Sequence, residues 1–233
     1  MIINYLKAFA LFLTLLFLIS CKNTPTENIK STLQTDFVYL KKIVKNIDLD
    51  MRYFGNDNFM GKQVIGYQKE VCICTKQAAN RIKDVQYELS KKGLSLRIFD
   101  SYRPQRSVDY FIEWSKNPAD TLTKAKYYPN IKKGDLFKLK YLAKKSSHTR
   151  GSTFDLTILD SKGNELDMGT TYDYFGPESW PTSNAVTTEQ KANRMLLQEV
   201  MLSNGFTLYP EEWWHFTLKD EPFPSTYFDF EIE

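Results

Sequence analysis

Apolar positions along the chain change period several times, and each change predicts an element. Ala78, Ile82, Val85 and Leu89 recur on one face of a helix that Thr75 can cap and that Gly93 stops after about Lys91. Leu94-Ser95-Leu96-Arg97-Ile98-Phe99 then alternates as a strand does and runs into Asp100-Ser101-Tyr102-Arg103-Pro104. Pro104 keeps Arg103 out of helical geometry, so a cation is fixed at a strand end. A helix opened by Pro104 carries Tyr110, Phe111 and Trp114, and residues 116–134 read as a polar connection. From Thr153 to Ile158 the alternation returns, with Phe154, Leu156 and Ile158 on one face and Thr153, Asp155 and Thr157 on a polar one. Thr187 and Gln190 are spaced as a capping box for a helix from about Thr188 to Asn204, which Gly205 stops. Strands over Phe206–Tyr209 and Trp213–Leu218 close the pattern, with Trp213 and Trp214 packing on one strand face each. Alternating helices and strands with two late strands close together predict an α+β fold: a single domain, its mainly antiparallel sheet packed with helices.

The first twenty residues follow a different rule. Lys7 precedes an apolar run from Ala8 to Ile19, broken only by Thr14. At about 12 residues the run falls short of the ~20 that a spanning helix needs, so residues 1–20 read as a signal peptide. It ends Leu18-Ile19-Ser20-Cys21, which resembles the lipobox of bacterial lipoproteins and predicts lipidation at Cys21, with residues 21–35 as a flexible tether and 36–233 as the folded domain. An exported protein, anchored by lipid to a bacterial membrane and facing the periplasm or the cell exterior, is the expectation. The chain's 233 residues, 42% of them hydrophobic, allow one well-filled core. Its 31 basic and 28 acidic residues are interspersed, which leaves no basic footprint for a nucleic-acid partner. Cys72 and Cys74 would remain in the mature domain, on one strand face, where a disulfide between them is awkward; reduced, half-buried structural cysteines are expected.

The candidate chemistry lies in the two histidines, the only ones in the chain. His148 sits in Ser146-Ser147-His148-Thr149-Arg150-Gly151, seven residues before Asp155, and Gly151 lets the chain turn so that both reach one point. His215 arrives from a distant strand. Two imidazoles and one carboxylate leave a tetrahedral position open for water, the pattern of a catalytic zinc site, with one Zn²⁺ per chain at the sheet face. The alternative is that each histidine is a satisfied core or surface residue. Glu212, three before His215, is placed to take a proton from water. Residues i and i+3 of a straight strand face opposite sides, so Glu212 must lie in the turn after Pro210 or beside a bulge. Its neighbour Glu211 is assigned to solvent.

Ser146 through Asp155 resembles the Ser-x-His-x-x-Gly-x-Ala-x-Asp element of the VanX-type D-alanyl-D-alanine dipeptidases, with Thr153 where that family has alanine, and Glu212-Trp213-Trp214-His215 resembles their Glu-x-x-His element. Similarity extends through Tyr53 with Asn58-Phe59-Met60-Gly61, Asp100 to Pro104, Tyr127 to Asn130 and Asp220-Glu221-Pro222. The resemblance implies that His148, Asp155 and His215 bind Zn²⁺, that Glu212 is the base and Arg103 the oxyanion stabiliser of dipeptide hydrolysis, that Tyr53 and Asp173 hold the substrate ammonium, and that Ser146 and Tyr67 hold its carboxylate. Tyr53 and Tyr67 also fit a core, and Asp173 a turn. Two other functions share these residues: a D,D-carboxypeptidase acting on longer peptidoglycan peptides, and a non-catalytic zinc lipoprotein that binds cell-wall peptide.

The lipobox reading predicts that Cys21→Ser abolishes processing and moves the protein out of the membrane fraction, because an acylated N-terminal cysteine carries the chains needed for stable anchoring. Unchanged fractionation and electrophoretic mobility would contradict it.

Overall fold

Thr75 does cap the first long helix, its hydroxyl accepting the Ala78 amide at 3.3 Å, and the helix buries Ala78, Ala79, Ile82, Val85 and Leu89. The computed structural model describes residues 33–233. The signal peptide and Cys21 lie outside the described residues, and of the tether only 33–35 fall within them. In chain order the elements are β1 (Phe37–Tyr39), α1 (Leu40–Ile43), β2 (Asp48–Leu49), β3 (Ile73–Thr75), α2 (Lys76–Ser90), β4 (Ser95–Asp100), α3 (Gln105–Ser115), α4 (Lys124–Tyr127), β5 (Thr153–Leu159), α5 (Thr188–Ser203), β6 (Phe206–Tyr209) and β7 (Glu212–Leu218). Short turns of 3₁₀ helix add to these at Ser147–Arg150, Lys133–Asp135 and Pro177–Ser179.

Five strands form the main sheet in the order β2-β4-β5-β7-β6, and β1 pairs with β3 in a separate ribbon. All main-sheet pairings are antiparallel except β2 with β4, so the α+β expectation of a mainly antiparallel sheet holds. Helices α2 and α5 pack against the sheet and against each other. The capping box at Thr187 is present in both directions, with Thr187 Oγ1 accepting from the Gln190 amide and Gln190 Oε1 from the Thr187 amide.

Three local expectations change. Strand β5 alternates as predicted, but all seven of its residues are buried. It is the middle strand, and its polar side is covered: Thr153 and Thr217 share a hydroxyl contact of 2.9 Å across to β7, and Tyr172 reaches Asp155 from a loop. The 116–134 connection contains α4 and buries Tyr127, Tyr128 and Lys133. Lys133 is satisfied there by the Asn117 and Asp120 carbonyls and the face of Trp114, its Nζ 3.7 Å from the ring centroid. Cys72 and Cys74 are free, as expected, but fully buried.

Two features of the sheet position the site. Asp155 of β5 stands directly opposite His215 of β7 on one side and Asp100 of β4 on the other, so three chemically active side chains form one row across three strands. At the start of β7, the register with β6 jumps from Leu208↔Phe216 to Tyr209↔Glu212. Residues 213–215 therefore bulge, and it is this bulge that lets Glu212 and His215 share a side. Glu212 is the first residue of the strand and does not lie in the turn before it. Both tryptophans pack as expected, buried and in edge-to-face contact at 5.3 Å.

Candidate active site

His148, Asp155 and His215 converge as the sequence predicts, their ligand atoms all within 4.8 Å of one another. His148 Nε2 lies 3.2 Å from Asp155 Oδ2, His215 Nδ1 lies 3.1 Å from Asp155 Oδ1, and the two ring nitrogens are 3.2 Å apart. Two ligands at about 2.05 Å from a tetrahedral ion are separated by about 3.3 Å, so each spacing has the length of one tetrahedral edge, with Asp155 meeting the two histidines through different oxygens.

Each imidazole has its outer nitrogen occupied. His148 Nδ1 donates to the Ser101 carbonyl at 2.8 Å, which leaves a lone pair on Nε2 facing inward. His215 Nε2 meets the Ser147 hydroxyl at 3.2 Å, and when it donates there Nδ1 also turns a lone pair inward. Asp155 Oδ1 is buried without a hydrogen-bond partner, and Oδ2 accepts from Tyr172 at 3.1 Å. Three lone-pair atoms thus point at one another, an arrangement that requires a cation or a proton between them.

The local chain explains how His148 gets there. Ser146 caps the short 3₁₀ turn, its Oγ accepting the His148 amide, and Gly151 ends the turn at φ +82°. A Cβ at Gly151 would fall 2.2 Å from a Phe37 ring carbon, so the backbone passes the core closely just before β5 begins. Glu212 Oε2 is 3.3 Å from His215 Nδ1, and Arg103 reaches Asp155 Oδ2 at 3.5 Å while Asp100 holds its Nε and Nη2 at 2.9 and 2.8 Å. All of these side chains except Asp100 line one cavity of about 540 Å³.

A family profile described as D-ala-D-ala dipeptidase matches residues 33–233. The chain is also 39% identical over 201 residues to a D-alanyl-D-alanine dipeptidase of Enterococcus faecalis, covering 86% of this chain and all of that protein. For the D-alanyl-D-alanine dipeptidase of Streptomyces coelicolor the identity is 41% over 198 residues, covering 84% and 98%. For that of Escherichia coli it is 30% over 184 residues, covering 79% and 85%. The chain belongs to the D-Ala-D-Ala dipeptidase family of peptidases.

The remaining residues expected from the dipeptidase resemblance divide by place. Tyr53 and Asp173 line the cavity together, with Tyr53 donating to Asp173 at 3.0 Å, and both are buried. Ser146 lines it as well. Tyr67 is not among the lining residues: its hydroxyl is taken up by Asp100 at 2.7 Å, and its ring stands edge-on to Tyr53 at 5.7 Å. Glu211 differs from its solvent assignment. It is half-buried in the two-residue Pro210-Glu211 connection, and its Oε2 is shut from water without a hydrogen-bond partner. It does not line the cavity.

Sequence reasoning missed Ser147, Tyr172, Asp100 and the Ser101 carbonyl. A serine beside His148 and a tyrosine beside Asp173 were visible, but no spacing rule assigned them, and a backbone carbonyl has no sequence signal.

The electrostatics follow from this crowding in a buried place. Burial raises the Glu212 carboxyl above its ordinary range, with His215 opposing, and raises Asp173 far above it. Burial also works against charge on Asp155, but His148 and His215 outweigh it and hold this carboxyl well below the usual range. For His148, burial wins and lowers its pKa. In His215, burial is outweighed by Asp155 and Glu212, which hold it up to about 9. Since that folded value lies above the imidazole's ordinary one, the metal-free protein gains stability from the His215 proton below about pH 6.5 and loses it as pH rises through about 9. We predict that the urea midpoint of chelator-treated protein falls across this window, the His215 contribution being on the order of 3 kcal/mol. His215→Gln should flatten that dependence. A midpoint that rises over the same window in the parent would contradict the assignment.

Proposed function

We propose that this protein is a zinc-dependent dipeptidase that hydrolyses D-alanyl-D-alanine. The observation that carries this reading is the contact of Glu212 with His215 and of Arg103 with Asp155 within one cavity, in a chain of the dipeptidase family. The donor set fits zinc: two imidazoles with inward lone pairs and one carboxylate, their ligand atoms within 4.8 Å of one another. A zinc ion held there would supply Lewis acidity, polarising a peptide carbonyl and making water acidic enough to be deprotonated near neutrality.

The chain's own residues do the rest. Glu212, raised in pKa by burial, accepts the proton of the attacking water and returns it to the departing amine. Arg103, held by Asp100 and stacked over Tyr53 at 4.9 Å, presents a fixed positive charge to the oxyanion as it develops. We assign the substrate ammonium to Asp173 and Tyr53, and its carboxylate to the Ser146 wall. Tyr67 acts here through Asp100, by fixing the carboxylate that fixes Arg103.

Enclosure of the amino end favours this reading over the D,D-carboxypeptidase alternative. Asp173 and Tyr53 are 5% and 1% exposed, and Phe59, Phe111 and Phe175 wall the same end. A longer peptide would have to place an uncharged amide against a buried carboxylate and leave it unpaired. The presence of both Glu212 and Arg103 favours catalysis over mere binding. We further propose that the domain is exported and tethered to a bacterial membrane through lipid on Cys21.

The test is a set of single substitutions. Glu212→Ala and Arg103→Ala should keep zinc and fold, and lose on the order of 10² to 10⁴ in kcat with D-Ala-D-Ala. Glu211→Ala, outside the cavity, should stay within a few-fold of the parent. Equal inactivation by Glu211→Ala, or full activity in Glu212→Ala, would contradict the mechanism. Cleavage of a longer D-Ala-D-Ala-terminated peptide in preference to the dipeptide would return the carboxypeptidase reading.

A further inference from the structure

The segment from Met168 to Trp180 delivers two side chains to the site, Tyr172 to Asp155 and Asp173 to Tyr53, yet has no helix or strand beyond one turn at Pro177–Ser179. Asp173 sits in the left-handed region at φ +61°, where a residue with a Cβ stays only if its surroundings hold it. What holds it is mostly on α5. Arg194 is buried, 3% exposed, and its Nε donates to the Met168 carbonyl at 2.6 Å while its Nη1 donates to the Trp180 carbonyl at 2.9 Å. One guanidinium therefore closes both sides of the loop's neck. Gln190, one turn earlier on α5, donates to the Asp167 carboxylate, and Asn193, next to Arg194, to the Asp167 carbonyl.

Inside the neck runs a second lock. Trp213 Nε1 donates to Thr170 Oγ1 at 2.8 Å, Thr170 Oγ1 and Ser179 Oγ are 2.9 Å apart, and Ser179 Oγ donates to the Tyr174 carbonyl at 2.7 Å. An indole only donates and a carbonyl only accepts, so both hydroxyls between them are oriented. The Phe175 amide, bonded to the Tyr127 carbonyl at 2.7 Å, fixes the far side of Asp173.

We propose that Arg194 is a positioning residue for the amino-end subsite: by clamping the Met168 and Trp180 carbonyls it sets the loop that aims Asp173 at the substrate ammonium. It contacts no substrate and does not line the cavity. A buried cation bound to two carbonyls, with no carboxylate in hydrogen-bond contact among the described residues and Nη2 left without a partner there, is a costly choice for packing alone. The planar fork is what spans the two carbonyls; a lysine ammonium at this position cannot reach both with the same geometry. The proposal rests on the reading of Asp173 and Tyr53 as the ammonium site.

The test compares Arg194→Lys and Thr170→Val with the zinc-loaded parent. Thr170→Val breaks the hydroxyl relay without touching α5 and stands in if Arg194→Lys does not fold. Three quantities are read: hydrogen exchange at the Phe175 amide, kcat and KM for D-Ala-D-Ala, and the preference for that dipeptide over N-acetyl-D-Ala-D-Ala, which lacks the ammonium. We expect faster exchange at Phe175, a KM raised on the order of tenfold with kcat within about threefold, a preference lowered by a similar factor, and unchanged zinc content. Unchanged exchange and KM overturn the clamp. A fall in kcat that tracks zinc loss, with preference unchanged, overturns its link to the amino end in favour of a structural role. A parent inactive on the dipeptide would count against the dipeptidase reading, and the Phe175 exchange would still decide whether the neck is held by Arg194.

Discussion

A carboxylate buried to 2% exposure is the constraint on which the rest of this structure depends. Asp155 sits in the middle strand of the sheet, where removing an ionised group from water costs several kcal/mol unless opposite charge and hydrogen-bond donors surround it. The fold supplies them from four directions: His148 from the 3₁₀ turn before β5, His215 from the register partner on β7, Tyr172 from the loop closed by Arg194, and Arg103 from the end of β4. Each is in turn held at its outer side, by Ser101, Ser147 and Asp100 among others. The same convergence that makes the carboxylate tolerable makes a cation site, so stability and chemistry are set by one arrangement.

Strand register does much of this work. A one-residue slip between β5 and β7 would send His215 to the other side of the sheet and leave Asp155 without its partner. The bulge at residues 213–215 performs the complementary task, since it alone brings Glu212 round to the side of His215. Trp213, inside the bulge, is not idle packing: its indole N–H starts the hydroxyl relay that runs through the 168–180 loop. The proposed base, the proposed metal ligand and the loop lock are therefore carried by three of four consecutive residues.

How much of this could be read from the sequence depends on the range of the interaction. Helices α2 and α5 were legible because their apolar period and their caps at Thr75 and Thr187 are local. The convergence of His148, Asp155 and His215 was legible because the chain has only two histidines and Asp155 stands at a fixed spacing from one of them. Strand β2, two residues long and parallel to β4, has too short a pattern to register, and β1 and β3 share that difficulty. The burial of both faces of β5 was hidden, because alternation reports two kinds of side chain and not what covers them. Glu211 and Glu212 are chemically identical in sequence, and only the hairpin and its bulge separate a half-buried bystander from a cavity-lining carboxylate. Tyr172 and Ser147 act across long separations through single hydrogen bonds, for which spacing carries no signal.

The central claim, that His148, Asp155 and His215 together hold a catalytic zinc, is tested most directly by metal analysis of the purified protein after desalting. About one zinc per chain is predicted for the parent, and loss of it in a His148→Ala, His215→Ala double variant that retains its fold by circular dichroism. Stoichiometric zinc persisting in that double variant would contradict the account.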